Sequence, residues 1–446
     1  MTELELARAQ MAMMFAFHII FAVAGMGMPL LMVIAEAAHR RTGKQVFLEL
    51  ARRWARGTAI LFAVGAVSGT VLSFELGLLW PRFMEFSGGI IGLPFALEGF
   101  AFFAEAIFLG IYLYGRGRVS PVLHMLAGIG VAVGGLLSGI LVVSANGWMN
   151  SPAGFLLRDG MPIDIDPIAA MFNPAWATTA VHMSLAAFAA SGFAVAGIHA
   201  YKLLRDRENL FHRHAMAIAL WVGGSAAVLL PVSGDFSARF VAKDQPVKLA
   251  AMEGQFRTER GAPLRIGGIP DSKAGTTRFA IEIPRALSLL AFHDMDAEVK
   301  GLEAFPRTDW PDPLPVHIAF QVMVACGTAM AAVALLAALL AFRNRESLFR
   351  PGFLLPAIFC SPLGIIAVEA GWTVTELGRQ PWVIRGVMRT SEAVTPVTGL
   401  ALPFVFFSVL YLALGVSAAL LLRREVSKSP SFPASADTSA AREREE

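Results

Sequence analysis

Apolar residues along this chain gather into long runs separated by shorter polar stretches. About 20 mostly apolar residues suffice to carry a helix across a bilayer. Nine such runs stand near 11–36, 57–80, 93–114, 121–145, 177–201, 215–233, 315–342, 352–375 and 399–422. Each is expected to be a helix, because a single segment in lipid must satisfy its own backbone hydrogen bonds. Small residues recur inside them, as in "GAVSG" and "GIGVAVGG", which suits close helix packing. The pattern divides the chain into helices 1–6 (1–233), a long hydrophilic loop (234–314), helices 7–9 (315–422) and a tail (423–446) expected to be disordered.

Composition agrees with an all-α polytopic membrane protein. Hydrophobic residues make up 56%, charged residues only 16%, and the mean hydropathy is +0.59, whereas soluble domains are nearer 45–50% apolar and about 25% charged. The net charge of +3 and pI near 9.0 are explained by basic loops on one side, not by nucleic-acid binding. The loops after helices 1, 3, 5 and 7 hold fifteen Lys/Arg, and those after 2, 4 and 8 hold five. The positive-inside rule then sets the N-terminus outside and the C-terminus in the cytoplasm. "MTELELARAQ" lacks the basic start of a cleavable signal and is read as retained. The 81-residue loop, with eleven Lys/Arg and twelve Asp/Glu, lies outside in this arrangement, and a loop of that length is functional or disordered. Cys326 and Cys360 fall in apolar runs, so no structural disulfide is expected. No C-x-x-C-H is present, so any haem is held without covalent attachment.

Five residues on five helices fall in the outer half of this map. They are His18 in "MMFAFHIIFAV", Glu98 in "GLPFALEGFAFFAEAIF", His182 in "WATTAVHMSLAAF", Met323 in "HIAFQVMVACG" and Glu369 in "VEAGW". Singly, each has an ordinary explanation: a hydrogen-bonded histidine, a methionine filling the core, a carboxyl bridging two helices. Together they suit a cofactor between facing helices, since His with Met is an axial pair for low-spin haem and a lone His leaves an iron position open. Glu98 and Glu105 lie seven residues apart, about 10 Å along one helix face. Such a pair suits a proton relay, because a carboxyl in a low dielectric carries a proton more readily than a fixed charge. The residues alone leave two classes open, a redox protein and a proton-coupled transporter using His and Glu as a relay. No internal repeat of the transporter kind is evident, and Met323 has no task in a relay.

At these residues the chain resembles subunit I of the cytochrome bd-type quinol oxidases. The matching stretches are "ELARAQMAMMFAFHIIF", "GLPFALEGFAFFAEAIF", "LVVSANGWMNSP", "FVAKDQPVKLAAMEGQF", "MVACG" and "VEAGWTVTELGRQPW", in order and spanning nearly the whole chain to about residue 422. The resemblance implies that His182 and Met323 are axial ligands of a low-spin haem b. It implies that His18, Glu98 and Glu369 serve two high-spin haems, one a haem b and the other a haem d or a further haem b. Glu105 would lie on the proton route. The long loop would be a quinol loop, with Lys248 and Glu253 as its quinol-linked donor and acceptor. Arg8 and Arg379 are candidates for haem propionates or for interfacial anchors, and Trp372 and Trp382 for porphyrin contacts or the aromatic belt.

Two features depart from the family pattern. Gln321 stands two positions before Met323, where Arg is frequent, and loss of a fixed positive charge is expected to lower the potential of a nearby haem unless another donor offsets it. The loop also lacks a long insertion, making this a short-loop type similar to oxidases described as cyanide-insensitive. The expected activity is quinol oxidation outside and oxygen reduction to water with protons drawn from the cytoplasm, so that charge crosses the membrane without a pump. Few buried acids are evident deeper than Glu105, which argues for a second membrane subunit, accompanied in the family by a small single-helix one.

Overall fold

The computed structural model describes residues 2–428, 430 and 432. Among the described residues nine helices are long and apolar enough to cross a membrane. They are α1 (Glu3–Thr42), α2 (Gln45–Leu79), α3 (Pro81–Tyr114), α4 (Pro121–Asn150), α5 (Trp176–Leu203), α6 (Leu210–Asp244), α7 (Pro313–Arg343), α8 (Pro351–Leu377) and α9 (Ala401–Ser427). Each outruns its apolar stretch at one end at least. Hydropathy reports the immersed part of a helix, whereas the backbone ladder continues into water until a cap or a proline ends it. A reciprocal box between Thr2 and Glu5 opens α1, and Gly43, left-handed at φ 72°, closes it. Prolines at the first turn open α3, α4, α7 and α8, where the missing N–H costs nothing.

Three expectations need correction. The eighth run is not one continuous helix: it breaks at Ser361 and Pro362 into Pro351–Cys360 and Leu363–Leu377. The break falls where Ser361 Oγ donates to the Ala194 carbonyl of α5 at 3.3 Å. The long loop does not begin at 234, because α6 runs on to Asp244. Beyond it the segment is folded. A short helix (Pro246–Met252) is followed by three antiparallel two-stranded ladders that pair 259–260 with 298–299, 264–266 with 281–283, and 269–271 with 276–278. The last ladder closes on a turn in which Asp271 Oδ1 accepts the N–H groups of Lys273 and Ala274 at 3.0 Å each, an Asx-type turn. The tail, too, starts as structure: α9 continues to Ser427, and the Leu210 N–H donates to the Phe432 carbonyl at 3.0 Å. Its remaining residues lie outside the described ones.

Consecutive helices pack as pairs, α1 on α2, α3 on α4, α5 on α6 and α7 on α8, and α1 and α5 sit at the centre of the bundle. The most apolar part of α9 is 11% buried against 50% for α1 and α5, so α9 is peripheral. Gly192 of α5 and Gly223 of α6 show what draws the helices together. A Cβ on Gly192 would stand 2.4 Å from the Gly223 Cα, a separation only glycine permits. Outward faces are apolar, with Phe100 73% and Leu402 77% exposed, as lipid as solvent requires. The Glu3 carboxylate accepts the N–H groups of Gly399 and Leu400 at 3.1 Å, so α1 and α9 begin on one face. The 245–312 segment lies on that face as well, called the loop face below. Cys326 and Cys360 are buried and free, as expected.

Candidate functional site

The two histidines singled out from sequence are held in the same way. His18 Nδ1 is 2.9 Å from Ser68 Oγ of α2, and His182 Nδ1 is 2.9 Å from Ser233 Oγ of α6. Each serine gives its own hydrogen to a carbonyl one turn back, Gly65 at 3.1 Å and Leu230 at 3.0 Å. A hydroxyl has one hydrogen, so each serine must accept from its histidine. That places the ring proton on Nδ1 and leaves the Nε2 lone pair free. A metal-bound histidine needs such a partner for its other nitrogen. Gly69 makes room beside His18, for a Cβ there would fall 2.8 Å from the ring Cε1.

Met323 projects from α7 toward α8, its Sδ 3.1 Å from the point a Cβ on Gly371 would occupy. His182 and Met323 stand on helices that share both neighbours, since α5 and α7 each pack on α6 and α8. Glu369 Oε1 is buried without a hydrogen-bond partner. Ile19, Met183 and Val368, the sequence neighbours of His18, His182 and Glu369, pack into one apolar cluster with Leu136 and Trp372. The tertiary fold therefore does gather α1, α5 and α8 at these positions. Trp372 stacks on Phe15 at 6.1 Å, while Trp382 lies under the Arg389 guanidinium at 4.5 Å.

On α3, Glu98 Oε1 accepts from Ser138 Oγ of α4 at 2.9 Å. Glu105 is 4% exposed, and its Oε1 has no partner. Two glycines of α4 admit it: a Cβ on Gly134 would be 3.0 Å from the Glu105 Cβ, and one on Gly135 would be 3.3 Å from Oε1. Arg379 is buried and donates through Nη2 to Glu376 Oε2 at 2.6 Å, while Nε and Nη1 have no acceptor. A buried guanidinium with two unused donors is a site for an anion. Arg8 differs: it lies inside α1 and is exposed.

Lys248 and Glu253 close the loop-face side. Lys248 Nζ donates to Asn150 Oδ1 at 3.1 Å, and its stem fills the space beside Gly378. Burial, reinforced by the positive Arg379 nearby, pushes the Lys248 ammonium down to about 7. Burial likewise raises the Glu253 carboxyl to about 7, and its Oε2 has no partner. Both groups are thus poised to exchange protons near neutrality.

Several residues that organise this site escaped the sequence reading. Ser68, Ser233 and Ser138 carry no spacing signature. Glu376 links Arg379 to Asn146, whose Nδ2 donates to its Oε1 at 2.5 Å. His317, near the start of α7, is fully buried and meets the Met252 and Gly267 carbonyls at 2.7 and 2.9 Å. Gln321 serves the loop too: it donates to the Arg265 carbonyl and accepts the Gly267 N–H, both at 3.0 Å. His317 and Gln321 together fasten α7 to the segment that presents Glu253.

Among the described residues no three of His, Cys, Asp or Glu gather as a metal cage. The donors stand singly, as axial ligands to a porphyrin iron do. The freed Nε2 atoms, the thioether, the unpartnered Glu369 oxygen and the open Arg379 donors together fit haem, with an iron to ligate and acidic propionates to neutralise. Fold and site thus define a helical membrane protein of haem-binding type. The profile of the family described as cytochrome bd terminal oxidase subunit I matches residues 6–430. A Bacillus subtilis (strain 168) protein provisionally named cytochrome bd menaquinol oxidase subunit I is 38% identical over 434 residues, 96% of this chain and 98% of that one. The Escherichia coli (strain K12) cytochrome bd-II ubiquinol oxidase subunit 1 is 30% identical over 499 residues, covering 96% and 97%. The solved bd oxidase from Geobacillus thermodenitrificans superposes with a TM-score of 0.91 at 38% identity, covering 96% of this chain and 99% of that one. The chain belongs to the cytochrome bd terminal oxidase subunit I family. With nine helices of membrane-spanning length and hydropathy among its described residues, it is a multi-pass protein of the bacterial cytoplasmic (inner) membrane, and the transporter reading is not supported.

Proposed function

We propose that this chain is the haem-bearing subunit of a quinol:oxygen oxidoreductase, a respiratory terminal oxidase working with a subunit II. The observation that carries the reading is the pair of serine-held histidines, each with a free Nε2 aimed away from its serine. His182 with Met323 would hold a low-spin haem b. His18, Glu98 and Glu369 would serve two high-spin haems, a haem b and either haem d or a further haem b, with Arg379 and Arg8 as propionate partners. Bound haem would carry electrons and supply the iron at which oxygen is reduced. A small single-helix subunit would complete the complex.

The loop face is outside in this proposal, because the opposite face carries the excess of Lys and Arg. At the loop face Lys248 Nζ holds a quinol oxygen while Glu253 Oε2 accepts the hydroxyl proton, releasing it outside. His317 and Gln321 keep Glu253 in register with α7. Ser68 and Ser233 hold each imidazole so that Nε2 cannot turn away. Glu105 Oε1 carries protons inward toward Glu98. Protons thus leave on one side and enter from the other, and charge crosses the membrane without a pump.

A dithionite-reduced minus air-oxidised spectrum of the purified complex, with haem extraction, tests this reading. Haem bands are expected in the native complex, and His182→Ala should abolish the low-spin signal and oxygen consumption. A native complex without haem would overturn the proposal.

A further inference from the structure

Glu36 lies 18 residues after His18 on α1, about 27 Å toward the face opposite the loop. It is 3% exposed, yet both its oxygens are engaged. His124 Nδ1 of α4 is 2.8 Å from Oε1, and Arg116 Nη2 donates to Oε2 at 3.2 Å. His124 Nε2 is 2.9 Å from the Tyr112 carbonyl oxygen. A carbonyl only accepts, so Nε2 carries a hydrogen. Two lone pairs do not rest 2.8 Å apart, so a further proton lies between Nδ1 and Oε1, covalently on one or the other. The pair therefore holds one exchangeable proton.

A route leads away from it. Tyr112, Glu105 and Glu98 recur every seven residues on α3, on one face and roughly 10 Å apart. The Tyr112 hydroxyl is buried beside Glu36 and Arg116. Along the seam α4 offers small residues: Gly128 meets the Tyr112 ring, Gly134 and Gly135 meet Glu105, and Ser138 meets Glu98. The sequence offered few buried acids deeper than Glu105. Glu36 is one, on another helix.

We propose that Glu36 and His124 are the proton-collecting pair of this chain, taking up protons opposite the loop face and passing them along the α3–α4 seam to Glu105. This rests on the reading above that Glu105 carries protons toward the oxygen-reducing site. In the transfer the N–H bond at Nδ1, or the O–H bond at Oε1, breaks and the proton passes through water in the seam to Glu105 Oε1. Two facing lone pairs remain, a repulsive state that draws a replacement proton from water. Arg116, its side chain 31% exposed, sits where that water arrives. Its hydrogen bond to Oε2 holds the Glu36 carboxyl against His124.

The test uses the whole oxidase complex in lipid vesicles, with haem spectra, quinol-driven oxygen consumption and dye-reported proton uptake at the Arg116 face. Glu36→Gln keeps a hydrogen-bonding amide but cannot release a proton. It should retain the haem bands and slow both rates by about 100-fold, the scale of a lost acid–base group. Arg116→Gln should slow them by about fivefold. Glu105→Gln is run in parallel. Full rates in Glu36→Gln with a slow Glu105→Gln would reduce the pair to a structural clamp and overturn the proposal. Full rates in Glu105→Gln would overturn the underlying route and the proposal with it. Should Glu36→Gln lose its haem bands, Arg116→Gln decides, because its removal empties no buried site: a fivefold loss with intact bands supports the proposal, and an unchanged rate overturns it.

Discussion

The two faces of the helix bundle hold polar groups of opposite kinds. Toward the loop face, buried atoms are left open: Glu369 Oε1, Glu253 Oε2 and the Nε and Nη1 of Arg379 have no partner. Opposite the loop, both Glu36 oxygens are engaged by His124 and Arg116, and the other His124 nitrogen by the Tyr112 carbonyl. An unsatisfied buried polar group costs about 1–3 kcal/mol, and several in one region would strain a protein of ordinary stability. Open atoms on the loop side are therefore expected where bound groups complete them. The bonds that Glu36 makes need no ligand, and the one mobile component there is a proton.

The comparison is broken most severely at Glu253. Glu253→Gln removes the proposed quinol base, and quinol oxidation should fall by about 100-fold with haem spectra unchanged. The native enzyme should show a matching pH profile. As pH rises through about 7, Glu253 loses its proton and becomes able to accept one. The same rise takes the proton from Lys248, whose ammonium titrates about 7 as well, so the charged donor disappears. The quinol-limited rate should thus peak near neutrality, and Lys248→Met should lose the alkaline fall while keeping the acid one. A flat profile across pH 6–8, on the order of one unit to each side of those values, would remove both residues from the chemistry.

A smaller effect is expected from Ser233→Ala. The His182 ring would lose the acceptor that fixes its proton on Nδ1, and outer-shell losses of this kind cost about 10–100-fold in metal affinity. Haem titration of the variant should show a weakened low-spin haem beside unchanged high-spin bands. The mildest test is Gln321→Ala, which frees the loop at Arg265 and Gly267. Two lost backbone contacts of roughly 1 kcal/mol each should raise KM for quinol by up to about 30-fold, with little change in kcat at saturation.

Nine apolar runs were legible because lipid as solvent imposes its requirement on every consecutive residue of a span. The eighth run concealed its break, since "FCSPLG" stays apolar enough to pass while Pro362 interrupts the ladder. The long loop was legible as an insertion but not as a fold. Its ladders pair residues up to 40 positions apart, as Glu259 with Val299, with too little apolar alternation to reveal strands. His18, His182, Met323, Glu98 and Glu369 stood out as polar or sulfur-bearing positions in apolar surroundings. Gln321 was visible only as a substitution, and its amide proved to be engaged by the loop backbone.

The sequence by itself determined the solvent of this protein, the number of its crossings and the chemical set of groups immersed in them, because each follows from local composition over about 20 residues. Only the tertiary structure decided which nitrogen of each histidine is free, which carboxyls stand open and which share a proton. Those outcomes depend on partners 50, 51 and 88 residues away, Ser68 for His18, Ser233 for His182 and His124 for Glu36. No periodicity links such positions. They meet because helices pack side by side, and a proton settles on whichever atom the neighbouring helix leaves no other bond to make.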